Sequence, residues 1–500
     1  MRRSFRPVSA VPQSVPDLER FAADVAARLS AGAWPVRAVT PSGDSVFLAR
    51  APGRLDVMGG IADYSGALVL EMPIAAATWV AAQASDEPEI LIRSDDVAAH
   101  GDEPTVRLPL GDLVPEQPLS YERARALLAA DPRRAWAAYA AGALVVLHGE
   151  VGKPLRHGLR LLIWSEVPVG KGLSSSAALE VATLEAVAPM VGATLQDRQL
   201  PLLAQKVENF VVGAPCGVMD QMTSALGRGD HLLELVCQPA EVKGQLPVPH
   251  DVEFVGMDSG IRHAVSGADY GTVRAAAFMG YRMLAAAAGL AARPLSAGRV
   301  VVDDAKWGGY LANVSVDDWR SRYRAEIPVE VSGSDFLARF QGTTDAATTV
   351  EAGRRYPVRA ATEHAIEEHQ RVVQFRSLLA GKRHVDEQTR VRLGELMYAS
   401  HASYSACGLG SSGTDQLVEL VRELGPRQGF YGAKITGGGS GGTVAVLLER
   451  VQRAHLDQIV ERYARASGHR SAVYAGSSDG GRSFGVRTLR WSSGSPPQIQ

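Results

Sequence analysis

The sequence predicts a protein of mixed helices and strands, class α+β or α/β, in two or three domains. Three observations lead there. Helix-type and strand-type apolar patterns are interspersed along all 500 residues, with no internal repeat. A Gly/Ser-rich string at 168–179 lies between a strand pattern and a helix pattern, and a second glycine-rich string at 434–442 runs into a strand. The length and the 46% hydrophobic content suffice for a large core without a disulfide or metal staple.

Residues 1–16, rich in Pro, Ser and Arg, are expected to be disordered. Leu18, Phe21, Val25 and Leu29 recur at helical spacing and predict a helix over 17–30. Residues 46–50 read as a strand feeding a glycine-containing turn. The longest apolar run, 135–147, is shorter than the roughly 20 residues of a membrane span and predicts a buried helix. A strand over 159–164, the loop 168–172 and a helix from Ser174 to about Val187 follow. A helix over 197–210 and strands at 231–237 and 253–258 complete the first half. Periodicity then fails between 286 and 350, except at 335–340, so this stretch is expected to be a peripheral insertion. Helices are predicted over 361–379, 391–400 and 414–424. A strand over 443–448 precedes a helix over 451–466 that stops at Gly468. From Ser492 the tail is Ser/Gly/Pro-rich and expected to be loose.

A formal net charge of −2 gives no basic surface of the kind that nucleic acid or an anionic membrane favours. Cys216, Cys237 and Cys407 are odd in number and far apart, which argues against a disulfide framework or a zinc site and fits a reducing cytoplasm. The basic start has no apolar stretch behind it, so it does not read as a signal peptide.

Three strings carry chemistry. In 168–179, Gly170 and Gly172 make a turn before a helix whose cap and first turn hold Ser174, Ser175 and Ser176. A helix N-terminus exposes unpaired N–H groups and the positive end of its dipole, so it attracts phosphate. It is not a Walker A loop, because Lys171 precedes a glycine and the upstream glycine is missing. In 434–442, five glycines stand at 437–439, 441 and 442, so backbone can approach a ligand closely. A strand follows rather than a helix, so the dinucleotide-binding fingerprint lacks its context. The third string, 51–66, combines a turn, the lone Arg54 and the acids Asp56 and Asp63. Taken singly, each string also reads as ordinary structure: a capped helix, a linker and a surface loop.

Together and in this order, the strings resemble the GHMP kinases, over roughly residues 46–280 and 355–487. The segment 208–221, with Glu208, Gly217 and Asp220, looks like the galactokinase branch, as do 259–263 and Asp269–Tyr270. The resemblance implies an α+β fold of two domains, an N-terminal α/β domain and a C-terminal ferredoxin-like domain, with the active site in the cleft between them. It puts the first domain at 17–245, the second at 246–490 with the insertion 286–350, and a loose tail at 491–500. It also implies an ATP-dependent sugar-1-kinase using Mg²⁺, with no obligatory protein partner. Asp220 matches the aspartate beside the anomeric hydroxyl and Arg54 the arginine near it. Asp63, Gly217 and Tyr270 match the sugar pocket. Gly170, Gly172, Ser174, Ser175 and Ser176 match the phosphate loop, with Gly438, Gly439 and Ser440 of the other glycine string beside ATP. Ser176 and Glu208 match the Mg²⁺ ligands. Lys171 touches phosphate or sits solvated in its loop.

One departure bears on substrate. Galactokinases have Glu-His where this chain has Gly60 and Ile61, and in that family those residues reach the hydroxyl on the sugar's sixth carbon. Without them, a sugar lacking that carbon fits better, because a polar group buried without a partner is costly. L-Arabinopyranose meets that condition, and 54–73, 309–313 and 356–360 are similar to plant L-arabinokinases. The 500 residues leave no room for the glycosyltransferase-like half of those proteins. Gly60 vacates space, so it cannot exclude a larger group, and galactose, a 6-deoxy sugar or a uronic acid stay open. On this reading, Glu at 60 with His at 61 shifts preference towards galactose. The rival of another class, a non-catalytic sugar sensor, is disfavoured by intact Ser176, Glu208, Asp220 and Arg54.

Overall fold

The computed structural model of the chain describes residues 16–30, 45–261, 268–296, 298–490 and 498–499. Residues 1–15, and the tail apart from the short strand Gln498–Ile499, lie outside the described residues.

Two sheets organise the molecule. The larger is built from β1 (Ser45–Met58), β2 (Leu68–Ser85), β3 (Glu89–Ser94), β4 (Thr105–Pro109), β5 (Gly158–Ser165) and the hairpin of β6 (His231–Val236) and β7 (Glu241–Pro247). The long antiparallel pair β1–β2 is its centre. β5 lies beside β2, β3 runs parallel to β5 with β4 outside it, and β6 pairs with the start of β2. The smaller sheet is antiparallel, from β8 (Val252–Asp258), β9 (Phe430–Ile435), β10 (Thr443–Glu449) and β11 (Val473–Tyr474), in the order β9–β10–β8–β11. β12 (Arg487–Arg490) returns to pair with β1, so the end of the stretch expected to form the second domain joins the first sheet.

Side-chain alternation gives the larger sheet two apolar faces. On one, α1 (Pro16–Ser30) sets Phe21 against Trp79, ring centroids 5.4 Å apart. On the other, α2 (Ala138–Val151), α3 (Ser175–Val187) and α4 (Gln199–Lys206) bury Leu144, Val181 and Leu203 against Val80, Ile92 and Leu161. The helix expected over 197–210 divides at Lys206: Val207–Val212 forms a π turn, closed by the left-handed Gly213, whose N–H donates to the Glu208 carbonyl at 2.9 Å.

Next come α5 (Met219–Leu226), α6 (Ala268–Ala287), α7 (Val358–Leu379), α8 (Glu387–Ala406), α9 (Ser412–Leu424) and α10 (Leu456–Ser467). Gly468 ends α10 in a left-handed cap, as expected, while residues 450–455 are a 3-10 turn rather than its start. Leu55, Val57 and Leu70 of the first sheet share one core with Phe254, Phe375, Met397 and Leu447, so the two sheets are joined by apolar packing. The stretch 286–350 is not merely peripheral. Its Trp307, Leu311, Trp319 and Phe336 are buried in a cluster with residues of α6 and α7. Its elements are short strands, turns and helical segments of eight residues or fewer, such as Gly333–Phe340, so its apolar residues follow no long period.

α8 meets β9 backbone to backbone. A Cβ on Gly394 would lie 1.9 Å from the Tyr431 carbonyl oxygen, and one on Gly432 would lie 2.5 Å from the Gly394 Cα. Gly394→Ala is therefore expected to push α8 off the sheet and to cost about 1–3 kcal/mol of stability, the range for overpacked cores. Urea unfolding of the variant beside the parent measures this, and an unchanged midpoint contradicts it.

Candidate active site

β1 does not end where its sequence suggests a turn. It continues through Gly53 to Met58, with a register shift between Pro52 and Arg54. A Cβ on Gly53 would lie 2.6 Å from the Leu173 carbonyl oxygen, and the Arg54 N–H donates to that oxygen at 3.1 Å. The glycine thus serves as a bulge that admits the 168–173 loop, not as a turn.

Arg54 is 2% exposed. Its Nε donates to Asp220 Oδ1 at 2.9 Å, its Nη1 donates to the Gly172 carbonyl at 2.7 Å, and Glu71 Oε2 lies 3.3 Å from its Nε. Burial opposes the charge, but Asp220, Glu71 and Asp56 outweigh it and raise the guanidinium above the usual arginine range. Asp220 stands in the first turn of α5, and its second oxygen accepts from Ser174 Oγ at 2.6 Å. Ser174 takes a left-handed φ of 60°, so its hydroxyl meets Asp220 instead of capping α3.

Ser175 and Ser176 open α3, and a cavity of about 430 Å³ lies at that end. Gly170, Ser175, Ser176, Trp136 and Tyr139 are among its walls. The sequence gives no sign of Trp136 or Tyr139 there, because both lie within or beside an apolar run that reads as core. The two glycine strings pack on each other: a Cβ on Gly437 would lie 2.8 Å from the Gly172 carbonyl, and one on Gly442 2.7 Å from that of Lys171. Gly438 and Ser440 keep partial exposure, while Gly439 lies against Leu409, whose carbonyl accepts from the Ser440 N–H at 2.6 Å. The Lys171 ammonium is neither solvated nor free: it lies 2.9 Å from Asp258 Oδ2.

The segment Gly60–Ser65 is a buried 3-10 turn. Its Asp63 carboxylate fills the space beside Gly217, where a Cβ would lie 1.6 Å from Oδ2. Burial first, then the nearby Asp220, lift the Asp63 carboxyl to about 7, against the pull of Arg274. Tyr270 meets Tyr64 edge-on at 5.9 Å. Arg274 is bidentate to Asp345, at 2.9 and 2.8 Å, and donates to the Cys216 carbonyl at 2.8 Å. Sequence reading missed this pair, since Asp345 lies in the unpatterned stretch and meets Arg274 only in space. Arg262 and His263 lie outside the described residues.

The space at Gly60 is not vacant. A Cβ there would lie 1.5 Å from the Tyr404 hydroxyl oxygen. That hydroxyl accepts from the Ile61 N–H at 2.9 Å and donates to the Gly437 carbonyl at 3.1 Å. Ile61 itself is buried in an apolar cluster with Tyr64 and Tyr404. The expectation that Gly60 leaves room for a larger group is therefore corrected.

Glu208 sits on the π turn, hydrogen-bonded to Ser176. Burial, then Asp220, lift its carboxyl to about 7, against that hydrogen bond. Gln221 Nε2 donates to Glu208 at 2.6 Å and to Glu180 at 3.2 Å, and Glu180 Oε1 is buried with no hydrogen-bond partner. A hydroxyl and crowded carboxylates are hard oxygen donors, which suit Mg²⁺. Among the described residues no group of three or more His, Cys, Asp or Glu is placed to hold a metal ion.

The GHMP kinases N terminal domain matches residues 138–228, the GHMP kinases C terminal domain 383–467, and the galactokinase galactose-binding signature 40–84. The chain is 41% identical to the L-arabinokinase of Arabidopsis thaliana over 490 aligned residues, 89% of this chain, but it spans only 47% of that protein's length. It is 30% identical to the galactokinase of Chloroflexus aggregans, covering 80% of this chain and 84% of the relative. The galactokinase of Lactococcus lactis, solved with galactose, shares the fold with a TM-score of 0.66 at 21% identity, over 87% of this chain and 94% of its own.

Asp63 supplies a pH test. Its carboxyl lies at about 7 in the folded, ligand-free protein and at 3.8 as the ordinary value. A raised folded pKa means that its contribution to stability is full below about pH 4 and lost as pH rises through about 7. Asp63→Asn removes that titration, so the variant is expected to gain on the parent in urea midpoint between about pH 5 and about pH 8. Equal differences at the two pH values contradict it.

Proposed function

The chain belongs to the GHMP kinases, in their galactokinase-like branch, and on that premise we propose that it transfers the γ-phosphoryl of ATP to the anomeric hydroxyl of L-arabinose. The observation that carries the phosphoryl-transfer reading is the Asp220 carboxylate, held by Arg54 and Ser174 beside the start of α3 and next to Asp63. Phosphoryl transfer asks a protein for positioning, charge neutralisation and a partner for the attacking hydroxyl. Asp63, Gly217 and Tyr270 orient the sugar. Asp220 accepts the anomeric proton, with Arg54 and Ser174 fixing where its oxygens point. The N–H groups of Ser175 and Ser176 and the α3 dipole receive phosphate oxygens, and the cavity lined by Trp136 and Tyr139 takes the adenine. Gly438 and Ser440 face ATP from the other glycine string. Ser176 and Glu208 would hold Mg²⁺, which would supply neutralisation of phosphate charge. The enzyme works in the cytoplasm.

The preference for L-arabinose rests on Gly60, Ile61 and Tyr404. The Tyr404 hydroxyl is engaged by Ile61 and Gly437 and fills the volume that a side chain at 60 would need. A sixth-carbon hydroxyl on the sugar therefore loses water and finds no partner from these residues.

Two measurements test the proposal. Asp220→Asn keeps the shape and removes the charge, so turnover is expected to fall by roughly 10²–10⁴-fold while ATP still binds. Turnover close to the parent's removes Asp220 from the proton transfer. In an ADP-release assay over a sugar panel, L-arabinose is expected to exceed galactose by on the order of 10–200-fold in kcat/KM. A preference for galactose overturns the substrate and leaves the kinase standing. The change of Gly60 to Glu with Ile61 to His, a switch by sequence logic, meets Tyr404 here and is expected to cost folding rather than to move the preference.

A further inference from the structure

Lys171 is the one residue of the phosphate loop's Gly-Lys-Gly step that has a side chain, and the catalytic reading gives it no task. Gly170 and Gly172 flank it at φ of 70° and 74°. A loop built this way loses much conformational freedom when it is ordered, so something must hold it. Gly170 meets nothing within contact distance of a Cβ position. Lys171, by contrast, is fixed at both ends. Its carbonyl lies against Gly442 of the second glycine string. Its ammonium lies 3.1 and 2.9 Å from the two carboxylate oxygens of Asp258, the last residue of β8.

Asp258 is itself placed from the far side. Its Oδ1 accepts from the Gly260 N–H at 2.9 Å. The Ser259 N–H donates to the Gly442 carbonyl at 2.9 Å, and the Gly442 N–H to the Ile261 carbonyl at 3.1 Å. The end of β8, the second glycine string and the phosphate loop therefore converge on one ion pair. The Asp258 side chain is 9% exposed and that of Lys171 15%. A swing of Lys171 onto a bound phosphate would strand the Asp258 carboxylate, almost buried, without its cation, which is strongly unfavourable.

We propose that Lys171 and Asp258 are a positioning pair: they clamp the phosphate loop in its ATP-receiving shape from the second sheet, without contact between Lys171 and the nucleotide. This rests on the reading of residues 170–176 as the ATP phosphate site. The clamp raises ATP affinity by ordering the loop before ATP arrives, and it leaves the sugar pocket untouched.

The experiment is a double-mutant cycle on the full chain with Lys171→Met, Asp258→Asn and both together. It reads KM for ATP, KM for sugar and the fluorescence-monitored Kd of an ATP analogue, with thermal melts as the folding check. Each single change is expected to raise the ATP constants by about tenfold, the double change no further than either single one, and the sugar KM to stay as in the parent. Lys171→Arg is expected to restore most of the loss. Asp258→Asn leaving ATP affinity unchanged or tighter, while Lys171→Met weakens it, makes Lys171 a direct phosphate ligand and overturns the clamp. Additive losses overturn it as well, as does an equal loss in sugar KM. Ser176→Ala separates the two readings. If it and all clamp variants bind the analogue as the parent does, the phosphate site itself is misassigned. If it alone weakens binding, only the clamp falls.

Discussion

The site is organised around a guanidinium that has almost no water. A buried cation is tolerated only if its donors are met and its charge is opposed. Arg54 meets that demand with a carboxylate from α5, a carbonyl from the phosphate loop and a second carboxylate from β2. Each partner comes from a different element, so satisfying one side chain fixes the relative positions of four pieces of chain. The arrangement also leaves Asp220 held on both oxygens, by Arg54 and by Ser174, which is the preorganisation that the proposed phosphoryl transfer requires.

A second buried ion pair extends that logic across the two sheets. Lys434 Nζ of β9 lies 2.6 Å from Asp56 Oδ2 of β1, and both side chains have no exposure. Such a pair gives little net stability once desolvation is counted, but removing one partner strands a buried charge. It therefore acts on register. It holds the second glycine string over β1, where Thr436 Oγ1 accepts from the Asp56 N–H at 2.8 Å and Tyr404 reaches Ile61. The glycines that looked like a ligand-binding string are in part glycines of close packing. Gly172, Gly437 and Gly442 are where two backbones meet with no room for a Cβ.

Tyr404 shows how far a sequence departure can be read. Gly60 in place of an acid suggests empty space, and that inference treats the neighbours as unchanged. Here a side chain more than three hundred residues further along the chain fills the volume, with its hydroxyl bonded on both sides. The same limit applies to Arg274 and Asp345 and to the cavity walls Trp136 and Tyr139. An arginine in an alanine-rich helix, an aspartate in an unpatterned stretch and aromatics beside an apolar run carry no local pattern that marks them.

By itself the sequence pointed to the family and to the residues whose types are dictated by local geometry. The glycines and serines around α3 are legible because a turn and a helix start depend on immediate chain neighbours, whereas Asp220 and Arg54 stand out only through the resemblance of their strings to the GHMP kinases. Helices such as α3, α7 and α10 were legible for the same reason, since their periods are local, whereas β2, α6 and the second half of β1 were not read from the sequence. Only the tertiary structure decided that Gly53 is a bulge, that Lys171 belongs to Asp258, that Ser174 serves Asp220 and that the volume at Gly60 is occupied. In each case the deciding partner is remote in sequence, and contact, burial and charge opposition exist only once the two sheets have packed together.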